Sequence, residues 1–505
     1  MDNLFSQLPS YLSGHLSLTL TALLAGSCLS LPLGILATRA KWMERLFIGV
    51  ASEVQTTPSL ALLALMVPLL AFFALPNIGF LPAVIALTLY SILPILLGTV
   101  TAINGLDPAV LEAARAVGMS EWQSLRWVQL PLALPVIIAG IRTSAVWVVG
   151  TATLGTLVGA TSLGNYILSG LQTQNYKSVL LGVGVAWTLV HVLDGIVRIF
   201  EKAVSKRSRS LLAVGVIAIV GLYGYTVSII DVASAENGVR EIKIGTKMFT
   251  EQHILGQILT QQIENQSDYK VRTLESLGTT VIFNALRSGS IDAYVSYTGT
   301  IWANHMKRSD RPQDRVSLRK EVKAYLKDEQ GIVLLCPLGF ENSYGLALRK
   351  DQALRLGLQT ISELSTLSES LSVSGDHEFF ARPEWERLRE VYGLQFKQIR
   401  GMDSSLMYKA AANGSVDVIA AFTTDGRIDA FDLVLLRDDR QAFLPYDAII
   451  MVNHALTDEA PGVVELLIGL CGSMNSEQMR RLNLSVDDGE LEPEEAAKAF
   501  LDDMQ

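Results

Sequence analysis

The sequence predicts a multi-domain protein: an all-α membrane domain with several spans, followed by a two-lobed α/β domain. The chain of 505 residues is 50% hydrophobic, with a mean hydropathy of +0.33, which is too apolar for an ordinary soluble protein of this length. Its charge is uneven, with 12 Lys and Arg against 9 Asp and Glu through Val232, and 29 against 41 afterwards. The acidic remainder opens with a strand, a turn and an amphipathic helix, and it contains an internal repeat.

The apolar part holds enough long apolar runs for a polytopic membrane domain, because about 20 apolar residues cross the hydrocarbon core of a bilayer. We predict spans at residues 14–37, 50–75, 81–103, 132–152, 178–199 and 211–230. The second is the least regular, since Glu53, Gln55 and Pro58 fall near its start. Basic residues follow the first, third and fifth spans. The positive-inside rule therefore places these connections in the cytoplasm and the region after the sixth span outside.

Among the ionisable side chains inside the predicted spans are Arg142, His191 and Asp194. Arg142 lies near the cytoplasmic end of the fourth, where a long side chain can snorkel to the interface. His191 and Asp194 lie in the fifth. We expect pairing or helix-end roles for them, with a role in transport as the alternative.

A polar, helix-forming stretch, EAARAVGMSEWQSLRWVQLP, separates two apolar runs on the predicted cytoplasmic side. Glu112, Ala113 and Ala114 are followed after three residues by Gly118, and the stretch ends at Pro131. This spacing resembles the coupling loop of ATP-binding-cassette (ABC) importer permeases. TTPSLALLAL and GTLVGATSLGNYI also resemble permeases of the betaine and choline importers in that family, whose membrane domain is of type I. A surface helical hairpin without a partner is the alternative.

The resemblance implies two short helices around Gly118 that fit a groove on an ATPase. The chain has no G-x4-G-K-[ST] stretch to hold phosphate, so we expect a separate ABC ATPase subunit to hydrolyse ATP. Two permease halves are needed for alternating access, which predicts a homodimer of this chain with two ATPase copies in membrane lipid. The chain itself is then a transport subunit and not an enzyme. We expect no cofactor, no metal and no nucleic acid.

The predicted domains are a permease at residues 1–232 with its coupling loop at 105–131, a linker at 233–239, and an extracytoplasmic substrate-binding domain at 240–505. The sequence DVASAENGVR marks the abrupt change in composition between them. The protein is accordingly predicted to be a multi-pass inner-membrane protein whose binding domain lies on the extracytoplasmic side.

The acidic domain contains a duplication. ALRSGSIDAYVSYTGT and AAANGSVDVIAAFTTD align at a constant offset of 125 residues. In each copy an amphipathic helix starting at Thr279 or Ser404 ends at a Gly-Ser turn, and a short strand follows that ends on Tyr297 or Phe422. Two such units facing across a cleft would bring both aromatic rings and both helix N-termini together. Aromatic rings attract a cation and helix N-termini favour a carboxylate, which suits a small zwitterion.

The motifs GTKMFTEQ, YTGT, ENSYGLAL, TDGRIDAFDLVLLRDD and LPYDA resemble the solute-binding proteins of quaternary-amine ABC importers. The resemblance implies a two-lobed periplasmic-binding-protein-like fold and a cage of four aromatic rings around an ammonium group. By motif, the cage falls on Tyr297, Tyr344, Phe422 and Tyr446. The family usually has tyrosine where Phe422 stands, so this chain keeps the ring and loses a hydroxyl.

Four polar residues accompany the cage. The resemblance places Gln252, Thr300 and Asn342 at positions that hydrogen-bond the polar end of the ligand. Asp425 is expected to pair with Arg427 and fix the loop after the second strand, with direct ligand contact as the alternative. Four solutes with a trimethylammonium group fit such a site. Glycine betaine, choline and carnitine are solutes of the osmoprotectant type, and ergothioneine is a betaine-like thione.

Two other functional classes use similar domains, namely a ligand-gated channel or receptor, and an exporter. The coupling loop favours the importer, because a channel needs no contact with an ATPase. Cys336 and Cys471 could pair if the second domain is extracellular, but we expect lone buried thiols.

Overall fold

The computed structural model describes residues 5–504 apart from 6, 74, 173–174, 235–239, 309, 311 and 313. The chain forms two compact units, the first containing residues 1–167 and 177–238 and the second residues 168–176 and 239–505. Most of the linker predicted at residues 233–239 lies outside the described residues. Its first two residues end the helix Arg209–Ser234, so the helix continues further than predicted.

The first unit is helical in its described residues. Its α-helices are Leu8–Ala37, Lys41–Thr56, Ser59–Phe72, Phe80–Asn104, Pro108–Ala116, Glu121–Ser124, Leu130–Ala152, Gly164–Gln172, Tyr176–Ser205 and Arg209–Ser234, with a π-turn at Leu125–Gln129 and a 3-10 segment at Thr153–Val158. Among the described residues, five helices are long and apolar enough to cross a membrane, or six spans if one bent pair counts as a span. Small residues allow close packing: a Cβ added at Gly98 would meet the Cα of Gly140 at 3.2 Å.

The bent pair corrects one prediction. Residues 50–75 are not one helix, because Lys41–Thr56 and Ser59–Phe72 meet at an angle of 100°. Thr57 between them is extended, with ψ of 128°. Pro58 follows it, has no N–H to donate and disfavours helical backbone in the residue before it. The helix therefore ends at this point in the sequence.

The predicted coupling loop forms two short helices around Gly118. Pro108–Ala116 begins after Asp107, whose carboxylate accepts a hydrogen bond from the backbone of Ala109 at 2.9 Å. Gly118 has φ of +81°, a conformation that favours glycine, and it ends this helix. The second helix, Glu121–Ser124, begins with a capping box.

Asp194 is paired, as expected, and one of its partners is Arg142, for which we expected snorkelling. Arg142 Nε donates a hydrogen bond to one carboxylate oxygen of Asp194, and Arg198 Nε donates to the other at 2.8 Å. His191 Nδ1 lies 2.9 Å from the carbonyl oxygen of Trp187 in its own helix. A carboxylate held by two guanidinium groups costs less to bury than an isolated one.

The second unit contains two five-stranded sheets. Its strands are β1 (Ile242–Lys247), β2 (Val271–Leu277), β3 (Ala293–Tyr297), β4 (Ile332–Glu341), β5 (Tyr344–Arg349), β6 (Ser372–Gly375), β7 (Gln398–Gly401), β8 (Val418–Phe422), β9 (Leu433–Leu435) and β10 (Asp447–Asn453). The first lobe has the order β2-β1-β3-β10-β4, and the second has β7-β6-β8-β5-β9. In each sheet four strands run in the same direction, and the fourth strand in the order, β10 in the first lobe and β5 in the second, runs antiparallel to both of its neighbours. The chain passes between the lobes after β4 and again before β10.

Helices cover both sheets. The longer α-helices are Thr250–Gln266, Thr279–Arg287, Arg315–Gln330, Pro383–Tyr392, Ser404–Ala412, Pro461–Ile468, Ser476–Asp487 and Pro493–Met504. Shorter helical segments are Thr298–Thr300, Ile301–His305, Lys350–Leu356, Ile361–Ser365, Ser368–Ser370, His377–Ala381, Arg427–Ala430 and His454–Glu459. The side chains of β3 and β10 are buried throughout, and those of β8 are buried up to Ala421, because both faces of these central strands are covered.

The duplication seen in the sequence is confirmed by the fold. The helices Thr279–Arg287 and Ser404–Ala412 have the same length at an offset of 125 residues, and so do β3 and β8. Each strand lies third in the order of its sheet. The two copies therefore occupy equivalent places in the two lobes.

The expectation of lone thiols is wrong. Cys336 in β4 and Cys471 after the helix Pro461–Ile468 form a disulfide, with their Cα atoms 5.8 Å apart. The backbone of Gly472 donates to the carbonyl of Pro337 at 3.1 Å, which holds the two segments together. A sequence separation of 135 residues gave no indication of this proximity.

Candidate functional site

A cavity of about 260 Å³ lies between the two lobes of the second unit. β1 and β3 of the first lobe and β8 of the second each end at a residue that lines it, namely Lys247, Tyr297 and Phe422. Thr279 and Ser404, the first residues of the two equivalent helices, line it as well. The duplication thus brings two strand ends and two helix N-termini to one cavity, as the sequence predicts.

Aromatic rings form one part of the cavity wall. The ring centroids of Tyr344 and Phe422 are 4.9 Å apart, and those of Tyr344 and Tyr446 are 6.0 Å apart at an interplanar angle of 88°. Phe249 stacks between the lobes, 6.5 Å from Tyr297 and 5.9 Å from Phe422. The structure therefore brings the four predicted rings to one cavity and adds a fifth. Phe249 lies within the motif GTKMFTEQ, which was the available signal.

Strand register and one glycine position these rings. Tyr344 and Phe422 are direct partners in the antiparallel pair of β5 and β8. Tyr446 immediately precedes β10 and packs on Gly299, where an added Cβ would approach its ring to 2.6 Å. The glycine of the YTGT motif is therefore required for the ring of Tyr446 to lie where it does.

Gln252 does not line the cavity, but it contacts one tyrosine of the cage from outside the cavity. Its Nε2 donates to the hydroxyl of Tyr297 at 3.1 Å. The adjacent Glu251 is fully buried and accepts hydrogen bonds from Tyr297, Asn342, Thr424 and Asn483. Burial raises the pKa of Glu251, and these four hydrogen bonds oppose the rise. The pKa of Tyr297 lies well above its usual range through burial and through the charge of Glu251, so its hydroxyl keeps its proton.

Cationic side chains stand over the rings. The guanidinium carbon of Arg382 is 5.2 Å from the ring centroid of Tyr344 and 5.8 Å from that of Tyr446, and Arg382 Nη1 donates to the Tyr446 hydroxyl at 2.8 Å. Lys247 Nζ lies 5.3 Å from the ring centroid of Tyr297. Arg382 is 94% buried and lines the cavity, as does Lys247. Sequence reasoning missed both, although Lys247, like Phe249, lies within the motif GTKMFTEQ.

The remaining predicted polar residues differ in position. Thr300 and Asn342 line the cavity, and Asn342 Oδ1 accepts no hydrogen bond from any residue that the structure describes. Asp425 does not line the cavity. Its two oxygens accept hydrogen bonds from Arg427 at 2.6 and 2.9 Å, so the expected pairing is confirmed. Acidic residues that sequence reasoning missed, Asp376 and Asp403, also line the cavity.

The predicted coupling residues lie in the first unit. Glu112, Ala113 and Gly118 are exposed, whereas Ala114 is buried. Pro131 is the second residue of the helix Leu130–Ala152 and is exposed. Two tryptophans of the same loop, Trp122 and Trp127, are 65% and 66% exposed. Such apolar exposure on a polar loop suits a protein partner.

Both units match known families. Residues 240–503 match the substrate-binding domain of ABC-type glycine betaine transport systems. Residues 30–206 match the inner-membrane component of binding-protein-dependent transport systems.

Relatives cover the two units together or one at a time. An ergothioneine transport permease and ergothioneine-binding protein of Helicobacter pylori is 29% identical over 93% of this chain and 85% of its own length. A glycine betaine, carnitine and choline transport system permease protein of Bacillus subtilis is 38% identical over 38% of this chain and 86% of its own. A glycine-betaine-binding protein of Pseudomonas aeruginosa is 35% identical over 52% of this chain and 86% of its own.

Proposed function

Since the chain belongs to the family of substrate-binding domains of ABC-type glycine betaine transport systems, joined here to an inner-membrane permease, we propose that it imports a zwitterion carrying a trimethylammonium group. The chain is a transport subunit of an ABC importer in the inner membrane, and its ATP is hydrolysed by a separate subunit. The disulfide of the binding unit agrees with an oxidising, extracytoplasmic location.

The arrangement of rings and charges in the cavity carries the proposal. Tyr297, Tyr344, Phe422, Tyr446 and Phe249 offer ring faces to a cation that cannot donate hydrogen bonds. A trimethylammonium group has no polar hydrogen, so an apolar cage with a negative quadrupole suits it better than carboxylates in direct contact would.

The same cavity can hold a carboxylate. Arg382 lines it and offers a guanidinium fork, and the helices starting at Thr279 and Ser404 direct backbone N–H groups toward it. Thr300 and Asn342 provide further hydrogen-bonding groups, while Gln252 holds Tyr297 in place. Choline has no carboxylate and would leave these groups without a charged partner. The geometry therefore favours the betaine-like zwitterions over choline.

Ergothioneine, glycine betaine and carnitine remain the candidates. A cavity of about 260 Å³ is small for a ligand pocket and suits a single compact solute. The Helicobacter pylori relative that shares both units is named for ergothioneine, and this makes ergothioneine the first ligand to test.

The assembly follows from the permease unit. We infer a homodimer of this chain in the lipid bilayer with two ATPase copies, because one coupling loop per chain contacts one ATPase. Glu112, Ala113, Ala114, Gly118 and Pro131 would shape the docking surface. The exposed Trp122 and Trp127 extend it with apolar area.

Calorimetry of the purified full chain in nanodiscs tests the ligand directly. The chain should bind ergothioneine, glycine betaine or carnitine with micromolar or tighter affinity, and choline at least tenfold more weakly. Binding of none of the four would contradict the proposal. Uptake of the labelled ligand into cells lacking other carriers, dependent on the ATPase, distinguishes import from export and from a channel.

A further inference from the structure

The cage tyrosines share a feature that the phenylalanines lack. Each donates its hydroxyl hydrogen to a carboxylate of the surrounding protein. The pairs are Tyr297 with Glu251, Tyr344 with Asp376 at 3.2 Å, and Tyr446 with Glu384. Two chain segments, one with Glu251 and the other with Asp376 and Glu384, therefore supply the same contact to three different tyrosines.

Two of these carboxylates are deeply buried. Glu251 is 2% exposed and Glu384 is 3% exposed. Glu251 is surrounded by donors alone, since two hydroxyls and two amide nitrogens point at its oxygens. Four donors on one carboxylate fit the ionised form and would be poorly used by a neutral acid. These contacts favour a negative charge on Glu251, immediately behind the ring of Tyr297.

The charge acts on the cage by two routes. A phenol that donates to a carboxylate becomes more electron-rich, which strengthens the attraction of its ring for a cation. The carboxylate also attracts a cation in the cavity directly, through a site of low dielectric constant. Neither route acts on an uncharged tert-butyl group of the same shape.

The chain's own cations show where this negative potential lies. Lys247 stands over Tyr297, and Arg382 stands over Tyr344 and Tyr446. The hydroxyls of these same three tyrosines donate to the carboxylates.

We propose that Glu251, Asp376 and Glu384 are positioning residues that give the cage its selectivity for a positively charged group. They act through the tyrosine hydroxyls: Glu251 and Glu384 do not line the cavity, whereas Asp376 also borders it. This inference rests on the proposed function, in which the ligand carries a quaternary ammonium group. Phe422 has no hydroxyl to pair with a carboxylate, so it contributes through its ring alone.

The test compares three probes on the full chain in nanodiscs. Glycine betaine and ergothioneine carry trimethylammonium, while 3,3-dimethylbutanoate replaces the nitrogen of glycine betaine by carbon and is otherwise the same shape. Glu251→Gln and Glu384→Gln should each lower the affinity for the two trimethylammonium probes roughly tenfold. The affinity for dimethylbutanoate should change by no more than about twofold. Asp376→Asn should act in the same direction, and its amide oxygen can keep the cap on the backbone of Phe379.

A matched control separates charge selectivity from general destabilisation. Asp417 is a carboxylate of the second lobe that holds Ser372 and Gln352 and contacts no cage ring. Asp417→Asn should leave the ratio of the three affinities unchanged, even if it lowers the melting temperature. Equal losses for the trimethylammonium probes and for dimethylbutanoate in the glutamate variants would overturn this inference and leave the proposed function intact. If the unmodified chain binds no trimethylammonium zwitterion, carnitine included, both fail together.

Discussion

The guanidinium carbon of Arg382 lies 5.2 Å from the ring centroid of Tyr344, in the position that a ligand cation would take over the same ring. The Nη1 atom of Arg382 also donates to the hydroxyl of Tyr446. A ligand with both an ammonium group and a carboxylate can replace the guanidinium on the rings and pair with it at the other end. A ligand without a carboxylate can only compete with the guanidinium of Arg382 for the rings and gains no ion pair with it.

Arg382→Gln should therefore separate these two ligand types. Affinity for glycine betaine and ergothioneine should fall by roughly 10- to 100-fold, the usual range for losing a charged hydrogen bond. Affinity for choline should change little or improve. Calorimetry measures all three, and Arg389→Gln, which removes an exposed guanidinium over Trp385, is the control. Equal losses for choline and glycine betaine would exclude a carboxylate-binding role.

The cage itself can be tested at Tyr297. Tyr297→Ala should weaken binding of trimethylammonium ligands by roughly 30-fold, because a desolvated cation–π contact is worth about 2 kcal/mol. Tyr297→Phe keeps the ring but removes one donor from buried Glu251, so it should fall between the alanine variant and the unmodified chain. An affinity unchanged by alanine would show that this ring does not contact the ligand.

The disulfide between Cys336 and Cys471 should contribute to the stability of the binding unit. Cys471→Ser should lower its free energy of unfolding by about 2–5 kcal/mol, since the bridge closes a long loop. Thermal unfolding under reducing and non-reducing conditions measures the effect. Cys28→Ser alters an exposed thiol of the first unit and serves as the control. A melting temperature insensitive to both reduction and Cys471→Ser would contradict the prediction.

Asp487 should give the binding unit a pH-dependent stability. Burial raises its pKa from 3.8 to about 7, with Asp425 and Asp488 adding to the rise, while Arg427 and the hydroxyl of Thr250 oppose it. Between about pH 4 and 7 the folded state keeps a proton that the unfolded state has lost. The contribution of Asp487 is thus full below pH 4 and is lost as pH rises toward 7.

Asp487→Asn should flatten this pH dependence, because an amide does not titrate and can still accept from Thr250. Urea unfolding at several pH values between 4 and 8 provides the comparison. Asp502→Asn, which changes an exposed carboxylate outside this contact, should keep the slope. If the free energy of unfolding depends on pH equally in the Asp487 variant and in the unmodified chain, other groups cause the pH dependence.

Gly118 should be essential to coupling for a conformational reason. Its φ of +81° strains any L-residue, although an added Cβ would meet nothing within 4 Å. Gly118→Trp should abolish co-purification with the ATPase and transport, both by strain and by bulk on the exposed loop. Gly118→Asn, which tolerates this conformation, should keep most of both. Normal assembly and transport by the tryptophan variant would refute the coupling assignment.

Local pattern in the sequence determined much of this architecture. Apolar runs of about 20 residues identify most membrane helices, since the bilayer imposes their length. The duplicated helix and strand identify both lobes, and because strands of an α/β sheet end at one edge, they also identify where Tyr297 and Phe422 meet. Gly118 could be placed at the end of the first coupling helix from its spacing after Ala114, because the end of a helix depends on neighbouring residues.

Other features depend on residues that are distant in sequence, and only the tertiary structure decided them. Cys336 and Cys471 meet because β4 and a helix end are brought together by the first sheet, which no local pattern encodes. Arg382 and the carboxylates behind the tyrosines come from segments far from the rings that they contact. Charged side chains are common on any surface, so their residue types alone do not distinguish a buried electrostatic partner from a solvated one. That distinction arises when the two lobes fold against each other and exclude water.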